Sequence, residues 1–132
     1  MKRIFLLLVI LLTLAACEKE QNSALLADGI YKGTFIRSSP NVRYAPSKVT
    51  LTLANNTFTG SSDTNNYPAI CTGTFTVVGN MINTTNSCFF TADFDWTFIF
   101  NGEFDYEVEG NKLTLSKSFP GSVYDRYILE KQ

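Results

Sequence analysis

The chain has 132 residues, a formal net charge of −1 at neutral pH and no histidine, and its length fits one domain. This charge balance excludes a nucleic-acid binder that works through a basic patch. The lack of histidine removes the usual general base of catalysis and a common metal ligand. Eleven Phe, six Tyr and one Trp supply enough large side chains to fill a core.

The chain begins with the features of a secretory signal. Lys2 and Arg3 precede an apolar run over residues 4–12, and this run is shorter than the about 20 residues that cross a bilayer. Small residues follow the run, as they do in a signal that is cleaved. We therefore expect the protein to be exported.

The end of this signal resembles the lipobox of bacterial lipoproteins, in the stretch Leu14-Ala15-Ala16-Cys17. The resemblance implies a signal peptide over residues 1–16 and lipidation of Cys17, with more than one acyl chain to make the membrane anchor stable. An ordinary signal peptide with an accidental cysteine is the alternative. Residues 17–28 then form a lipidated, polar tether. Glu18, where an inner-membrane lipoprotein would have Asp, implies the outer membrane of a Gram-negative envelope, with either periplasmic or surface display.

Beyond residue 28 the sequence alternates between apolar and polar residues, which predicts β-strands instead of helices. We predict strands at residues 29–37, 47–54, 57–62, 70–78, 81–87, 94–100, 103–109, 112–117 and 123–130. The fold class that follows is all-β: an antiparallel up-and-down meander of about eight to nine strands that closes into a barrel over residues 29–132.

Short turns fix the register of several hairpins. The turn at residues 55–56, for example, places Leu53 opposite Phe58. The strands 94–100 and 103–109 are harder to align, because a two-residue turn between them would put the aromatic side chains of the first on the acidic face of the second. We predict a bulged turn at residues 101–102, which places these aromatic side chains beside the apolar ones.

Two cysteines flank the hairpin around Gly79-Asn80. If these two residues form the turn, Cys71 falls directly opposite Cys88. A non-hydrogen-bonded pair has Cα atoms about 4.5 Å apart, which suits a disulfide, and exported proteins lie where disulfides persist. A metal site would need more ligands than two thiols, and a redox pair is more often CxxC. We predict a structural disulfide.

Long and short connections alternate along the predicted meander. The long connections are residues 38–46, 63–69 and 88–93. Alternate connections of an up-and-down barrel lie at opposite ends, so the long ones share one end, which we call the open end. The first strand starts at the other end, the closed end. The tether would leave from the closed end, and the open end would point away from the membrane.

The start of the first strand resembles a lipocalin. Gly29-Ile30-Tyr31 is similar to the Gly-x-Trp signature of that family, with Tyr in place of Trp, and Arg126 is similar to the arginine that packs over that ring. The long first connection also matches. The resemblance implies a small lipocalin-like bacterial lipoprotein. An eight-stranded barrel is either filled by side chains or holds one small ligand, and the short strands and many Phe side chains favour a filled interior.

Acidic residues give no catalytic, cofactor or metal site. Asp93 and Asp95 lie two apart on an extended segment, with no second element to complete an acid–base pair. The carboxylates between Glu103 and Glu109 alternate along one strand over some 20 Å and cannot converge on one Ca²⁺. An acidic outward face that discourages edge pairing explains them better. We therefore predict that the protein is not an enzyme.

Aromatic residues at or below the open end are the candidate ligand-binding residues: Tyr44, Phe89, Phe90, Phe98 and Tyr106. They predict a lipid-anchored binding protein of the cell envelope that holds a small apolar ligand. A protein-binding module with a packed barrel, such as an inhibitor or an envelope assembly partner, is the alternative. The structural explanation is that Phe89 and Phe90 only fill the top of the barrel. An interior cavity favours the small ligand, and a packed interior favours the protein partner.

Overall fold

The structure, a computed structural model, describes residues 25–132 and contains eight β-strands. They are β1 (Gly29–Ser38), β2 (Ser47–Ala54), β3 (Thr57–Ser62), β4 (Thr72–Val78), β5 (Met81–Asn86), β6 (Gly102–Glu109), β7 (Lys112–Phe119) and β8 (Val123–Lys131). Consecutive strands pair antiparallel, and β8 pairs back with β1 to close the barrel. The predicted all-β, up-and-down barrel is confirmed.

The even number of strands explains how the barrel closes. The first and last strands of a meander run antiparallel only when their number is even, and Gly33 of β1 accordingly lies opposite Leu129 of β8 in an antiparallel ladder. The additional strand predicted at residues 94–100 is wrong, so the barrel has eight strands and not nine. A short 3-10 turn forms at Trp96–Phe98 instead, because the side chain of Asp95 accepts a hydrogen bond from the amide of Thr97 and ends the extended run.

The segment after this turn pairs with the connection between β3 and β4 and not with β6. The amide of Ala69 donates to the carbonyl of Phe98 over 3.0 Å, and the amide of Phe100 donates to the carbonyl of Ala69 over 2.9 Å. The bulged hairpin predicted at residues 101–102 is therefore wrong, and β6 pairs with β5. Residues 94–100 cross the open end of the barrel, and we call them the plug.

The hairpin turns set the predicted registers. Asn55 and Asn56 adopt positive φ angles of 50° and 59°, as a two-residue turn of this kind requires, and Leu53 lies opposite Phe58. The predicted disulfide is also confirmed. Cys71 and Cys88 are bonded with their Cα atoms 6.2 Å apart. This distance exceeds that of a pair inside a ladder because both cysteines lie just beyond the ends of β4 and β5.

The interior of the barrel is filled by inward-facing side chains from the strands and by Phe100 from the plug. The centre of the Phe100 ring lies 5.1 Å from that of Phe58, 4.9 Å from that of Phe104 and 5.3 Å from that of Tyr127. The buried cluster consists of Tyr31, Phe35, Val49, Leu51, Leu53, Phe58, Phe75, Ile82, Phe100, Phe104, Tyr106, Leu113, Leu115, Tyr127 and Leu129. These side chains occupy the space that an interior ligand would need, as the filled-barrel interpretation predicts.

Arg126 does not have the position that the lipocalin resemblance implies. Tyr31 is buried near the closed end, and its hydroxyl donates to the carbonyl of Ala27 over 2.6 Å. Arg126 lies on the outer face of β8, where it is exposed, and its guanidinium carbon is 5.3 Å from the centre of the Tyr124 ring. The predicted packing of Arg126 over Tyr31 is therefore wrong. Asp125 faces the interior of the barrel, so the next residue on the strand, Arg126, faces outward.

Candidate functional site at the open end

The long connections meet at one end of the barrel, as predicted. Residues 39–46, 63–71, 87–101 and 120–122 join β1 to β2, β3 to β4, β5 to β6 and β7 to β8. Because the meander alternates direction, all four lie at the open end, together with the disulfide. The shorter turns and the start of β1 lie at the closed end. Any site built from the predicted loop residues must therefore lie at the open end.

A buried ion pair lies below the open end. Arg37, at the end of β1, is directly opposite Asp125, at the start of β8, and both residues are buried. The guanidinium donates through Nε to Oδ1 over 2.6 Å and through a terminal nitrogen to Oδ2 over 2.7 Å. Two parallel charged hydrogen bonds of this kind combine strength with a fixed geometry. This pair was not predicted from the sequence.

The same guanidinium holds the plug in place. Arg37 donates to the hydroxyl of Thr97 over 2.8 Å and to its carbonyl over 3.1 Å. Its Cζ atom lies 3.8 Å from the centre of the Phe98 ring, a distance at which a cation is attracted to an aromatic face. A carboxylate oxygen of Asp95 is 3.7 Å away. The donors of Arg37 are thus used within the fold, and its role is structural.

Tyr44 and Phe98, two of the predicted ligand-binding residues, pack in an aromatic layer over Arg37. The Tyr44 ring stacks on that of Tyr67 with centroids 6.1 Å apart, and the Phe98 ring meets Tyr67 edge to face at 4.9 Å. Phe98 also reaches Phe35 in the core, at 6.5 Å. These contacts join the plug to the barrel and make Tyr44 and Phe98 part of its closure.

Phe89 and Phe90, two further predicted residues, line a cleft of about 450 Å³ beside the plug. Phe89 is fully exposed, and Trp96 remains 56% exposed. The residues that line the cleft are Asn86, Cys88, Phe89, Phe90, Trp96, Thr97, Ile99, Asn101 and Lys117. Trp96 and Lys117 were not among the binding residues predicted from the sequence.

Several bonds fix the walls of the cleft. The disulfide ties Cys88 to the start of β4, and the side chain of Asn86 donates to the Cys88 carbonyl over 2.8 Å. The indole nitrogen of Trp96 donates to the carbonyl of Thr91 over 2.8 Å. The side-chain oxygen of Asn101 accepts from the amide of Asn86 over 2.9 Å. The cleft is therefore largely pre-formed, as ligand sites usually are.

Lys117 of β7 is the cation in the lining of the cleft. Its Nζ donates to the carbonyl of Asn101 over 2.7 Å. The same atom lies 5.2 Å from the centre of the Phe104 ring and 5.3 Å from that of Phe119. Burial lowers the pKa of Lys117, and Arg37 lowers it further, while Asp125 and Glu103 oppose the shift. The amine forms no salt bridge with any residue in the range 25–132.

The structure places Tyr106 apart from the other four predicted residues. Its hydroxyl donates to the carbonyl of Gly79 over 2.9 Å, and its amide donates to the carbonyl of Asn80 over 2.8 Å. Both acceptors belong to the turn between β4 and β5, at the closed end. Tyr106 is buried and closes that end of the barrel.

The acidic residues have the structural positions that their spacing suggested. The carboxylates of β6 alternate outward and are exposed. Asp95 caps the plug: burial raises its pKa, but the hydroxyl and amide of Thr97 and the charge of Arg37 outweigh burial, and the pKa is lowered. Asp93 accepts a hydrogen bond from the hydroxyl of Thr91. In the described part of the chain, no three metal-ligating side chains cluster.

Comparisons with known proteins bear on the membrane anchor. Residues 1–17 match the family model of the prokaryotic membrane lipoprotein lipid attachment site. The match supports a membrane-anchored lipoprotein. The predicted lipidation site, Cys17, falls within the matched residues and lies outside the described range. Among residues 25–132, no helix has both the length and the apolar character needed to cross a membrane. Comparisons with curated proteins and with solved structures found no match to the chain.

Proposed function

We propose that this membrane-anchored lipoprotein is a binding protein whose ligand site is the cleft at the open end and not the interior of the barrel. The filled interior removes the interior site and by itself favours a protein partner, so the observation that supports a small ligand is the separate cleft of about 450 Å³. The rings of Phe58, Phe100 and Phe104 meet at the centre of the barrel, whereas Phe89 and Trp96 stay exposed beside the cleft. We therefore still propose a small apolar ligand, as predicted from the sequence, and we assign it to the cleft instead of the barrel interior.

The shape and lining of the cleft suit a small molecule. A volume of about 450 Å³ falls within the range of about 300–1,000 Å³ that ligand pockets occupy. Large apolar side chains that stay exposed next to a concave surface are more informative than apolar side chains in a core. Phe89, Phe90 and Trp96 offer ring faces and edges to a flat apolar group, and the disulfide reduces the ordering that binding would require.

The direction of the tether agrees with a site at the open end. The chain enters β1 at the closed end, where a carboxylate oxygen of Asp28 accepts from the amide of Asn55 over 3.1 Å. A lipid on Cys17 would therefore hold the closed end near the bilayer and leave the cleft accessible. We further propose the outer membrane as the location, because Glu18 follows Cys17.

The proposal is tested with N-phenylnaphthylamine, a neutral aromatic probe. The chain is used from residue 17 onward with Cys17→Ser, which removes the lipid and keeps every strand and the disulfide. Trp96 is the only tryptophan in the sequence, so energy transfer from Trp96 reports a probe bound to the barrel, and substitutions of cleft residues locate the site. We expect saturable transfer, and we expect Phe89→Ala and Phe90→Ala each to weaken binding several-fold, because both side chains line the cleft.

The matched control is Val78→Ala. Val78 is 77% exposed, near the turn at the closed end, so this variant also removes exposed apolar surface but at a distance from the cleft. It should bind the probe as the parent does. Absence of saturable transfer, or equal binding by the Phe89→Ala and Val78→Ala variants, would contradict the proposed site.

The full exposure of Phe89 favours a second candidate function, a module that binds a protein partner. An exposed aromatic ring on a rigid connection is typical of a residue that inserts into a pocket of a partner. Cross-linking in intact cells should then give an adduct with the parent chain and lose it with Phe89→Ala, while Val78→Ala retains it. No adduct with the parent chain would count against this function.

A further inference from the structure

We infer that the ligand of the cleft is an amphipathic organic anion: its apolar body packs against Phe89, Phe90 and Trp96, and its anionic group binds the ammonium group of Lys117. The inference rests on the proposed function and adds the chemical class of the ligand. Lys117 is the charged member of a lining that is otherwise aromatic, aliphatic or neutral and polar. A ligand that complements the cleft therefore needs one negative charge beside an apolar surface.

The two cations below the open end differ in their bonding. Arg37 uses its donors on Asp125 and Thr97, so its charge is neutralised inside the fold. Lys117 donates to the carbonyl of Asn101 and forms no salt bridge within the described part of the chain. An ammonium group has three donors, so Lys117 retains donors for a ligand.

The surroundings of Lys117 strengthen its attraction for an anion. The rings of Phe104 and Phe119 flank the amine at 5.2 Å and 5.3 Å, and the side chain of Lys117 is half-buried. Charge interactions are stronger in such an environment than in bulk water. Burial also lowers the pKa of Lys117, which means that the charged amine is under-solvated in the free protein. An anion bound beside it would supply the missing stabilisation.

Neutral polar groups around the amine complete the binding geometry. Asn86 and Asn101 line the same cleft as Lys117. Amide side chains both donate and accept, so they can orient the anionic group without adding a competing charge. The carboxylates whose charges act on Lys117 are Asp125, which is bound to Arg37, and Glu103, on the outward face of β6. Neither one neutralises the cleft.

The inference is tested with two probes that share an apolar body. N-phenylnaphthylamine is neutral, and anilinonaphthalene sulfonate has the same rings plus one sulfonate group. Both are titrated into the Cys17→Ser chain with energy transfer from Trp96 as the readout. We expect the anionic probe to bind more tightly, on the order of tenfold, as a charged hydrogen bond in a partly buried site provides. Added salt should weaken the anionic probe more than the neutral one.

Three variants locate this preference. Lys117→Gln should abolish it, so that the two probes bind this variant with similar affinity, while Lys117→Arg should preserve it. Lys112→Gln removes an exposed cation at the closed end of the same strand and should behave as the parent chain. Near-ultraviolet circular dichroism and the mass of the disulfide-bonded chain check that each variant is folded.

The two proposals fail in different ways. If both probes bind the parent chain equally well, or if the preference survives Lys117→Gln, the inference is overturned and the proposed cleft stands. Equal salt dependence of the two probes on the parent chain would overturn the inference in the same way. If neither probe receives energy from Trp96, the proposed function itself fails.

Discussion

Arg37 and Asp125 lie directly opposite each other in the ladder between the first and last strands, and their buried side chains form a two-bond ion pair. The barrel is therefore closed twice at this point, by backbone hydrogen bonds and by a charged pair. Because Arg37 also donates to Thr97 of the plug, the closure of the barrel and the position of the plug depend on the same side chain.

Arg37→Met should lower the free energy of unfolding by about 3–5 kcal/mol, because it leaves the charge of Asp125 buried without a partner. Urea unfolding measures the change. The matched control is Lys32→Met, which removes an exposed cation from the same strand and should change stability by no more than about 0.5 kcal/mol.

A double variant separates the cost of an unpaired charge from the value of the pair. Arg37→Met with Asp125→Leu should be more stable than Arg37→Met alone, because no buried charge then lacks a partner. A double variant less stable than the single one, in the same urea measurement, would contradict the unpaired-charge explanation, and a double variant less stable than the parent chain would show that the pair contributes more than its desolvation costs.

Cys71→Ser with Cys88→Ser should lower the free energy of unfolding by roughly 3 kcal/mol, as expected for the loss of a cross-link over a loop of this size. The disulfide spans a sequence separation of 17 residues. The barrel should still form, since the cysteines lie outside the strands. Thiol titration is the direct check: the native oxidised Cys17→Ser chain should give no reaction, and two reactive thiols would contradict the pairing.

The lipid prediction concerns Cys17. Mass spectrometry of the protein from membranes should show a chain that begins at Cys17 and has added acyl mass, in agreement with the match of residues 1–17 to a lipid attachment site. Cys17→Ser should release the protein from the membrane fraction. A soluble native product with a free thiol at Cys17 would contradict both the anchor and the proposed orientation.

Truncations in the core and at the cleft should have opposite effects on stability and binding. Leu51→Ala removes a fully buried side chain and should cost about 2–5 kcal/mol in the free energy of unfolding. Phe89→Ala removes a fully exposed ring and should cost no more than about 0.5 kcal/mol, while it weakens probe binding. Thermal unfolding and the probe titration, run on both variants, make the comparison.

The plug should loosen in acid because of Asp95. The pKa of this carboxyl is lowered in the folded protein, below an ordinary value of about 3.9. Its contribution to stability is then complete above pH 3.9, roughly, and is lost as the pH falls through the lower folded value. Trp96 emission should report this change, and Asp95→Asn should remove it while Asp93→Asn retains it. An unchanged acid transition in the Asp95→Asn variant would contradict the assignment.

The sequence predicts the hairpins well, because a short turn fixes which residues face each other. Leu53 and Phe58 are opposite as expected, and the same argument predicts the bond between Cys71 and Cys88. The strand predicted at residues 94–100 fails for a related reason. Alternating aromatic residues are equally typical of a strand and of a segment that inserts alternate rings into a barrel, and the capping by Asp95 was the overlooked signal.

The candidate site is less predictable because it depends on distant strands. Phe89 and Phe90 are identifiable as apolar residues next to a cysteine in a long connection. Lys117 is not, since its place in the cleft requires that β7 pass beside the connection between β5 and β6. The ion pair could have been predicted from the sequence. Arg37 and Asp125 occupy inward-facing positions on strands whose other inward-facing residues are mostly apolar. Opposite charges at such positions predict that the two strands are neighbours.

The pairing of β1 with β8 places the start of β1 next to the end of β8, and the amide of Gln132 donates to the carbonyl of Ile30 over 2.8 Å. A short linker can therefore join residue 132 to residue 28, and new ends can be opened in the exposed turn at residues 121–122, since neighbouring ends favour circular permutation. If the acylated segment is fused to the new N-terminus, the permuted barrel would be anchored through its open end. Its orientation relative to the bilayer would be reversed, and the cleft would face the lipid headgroups.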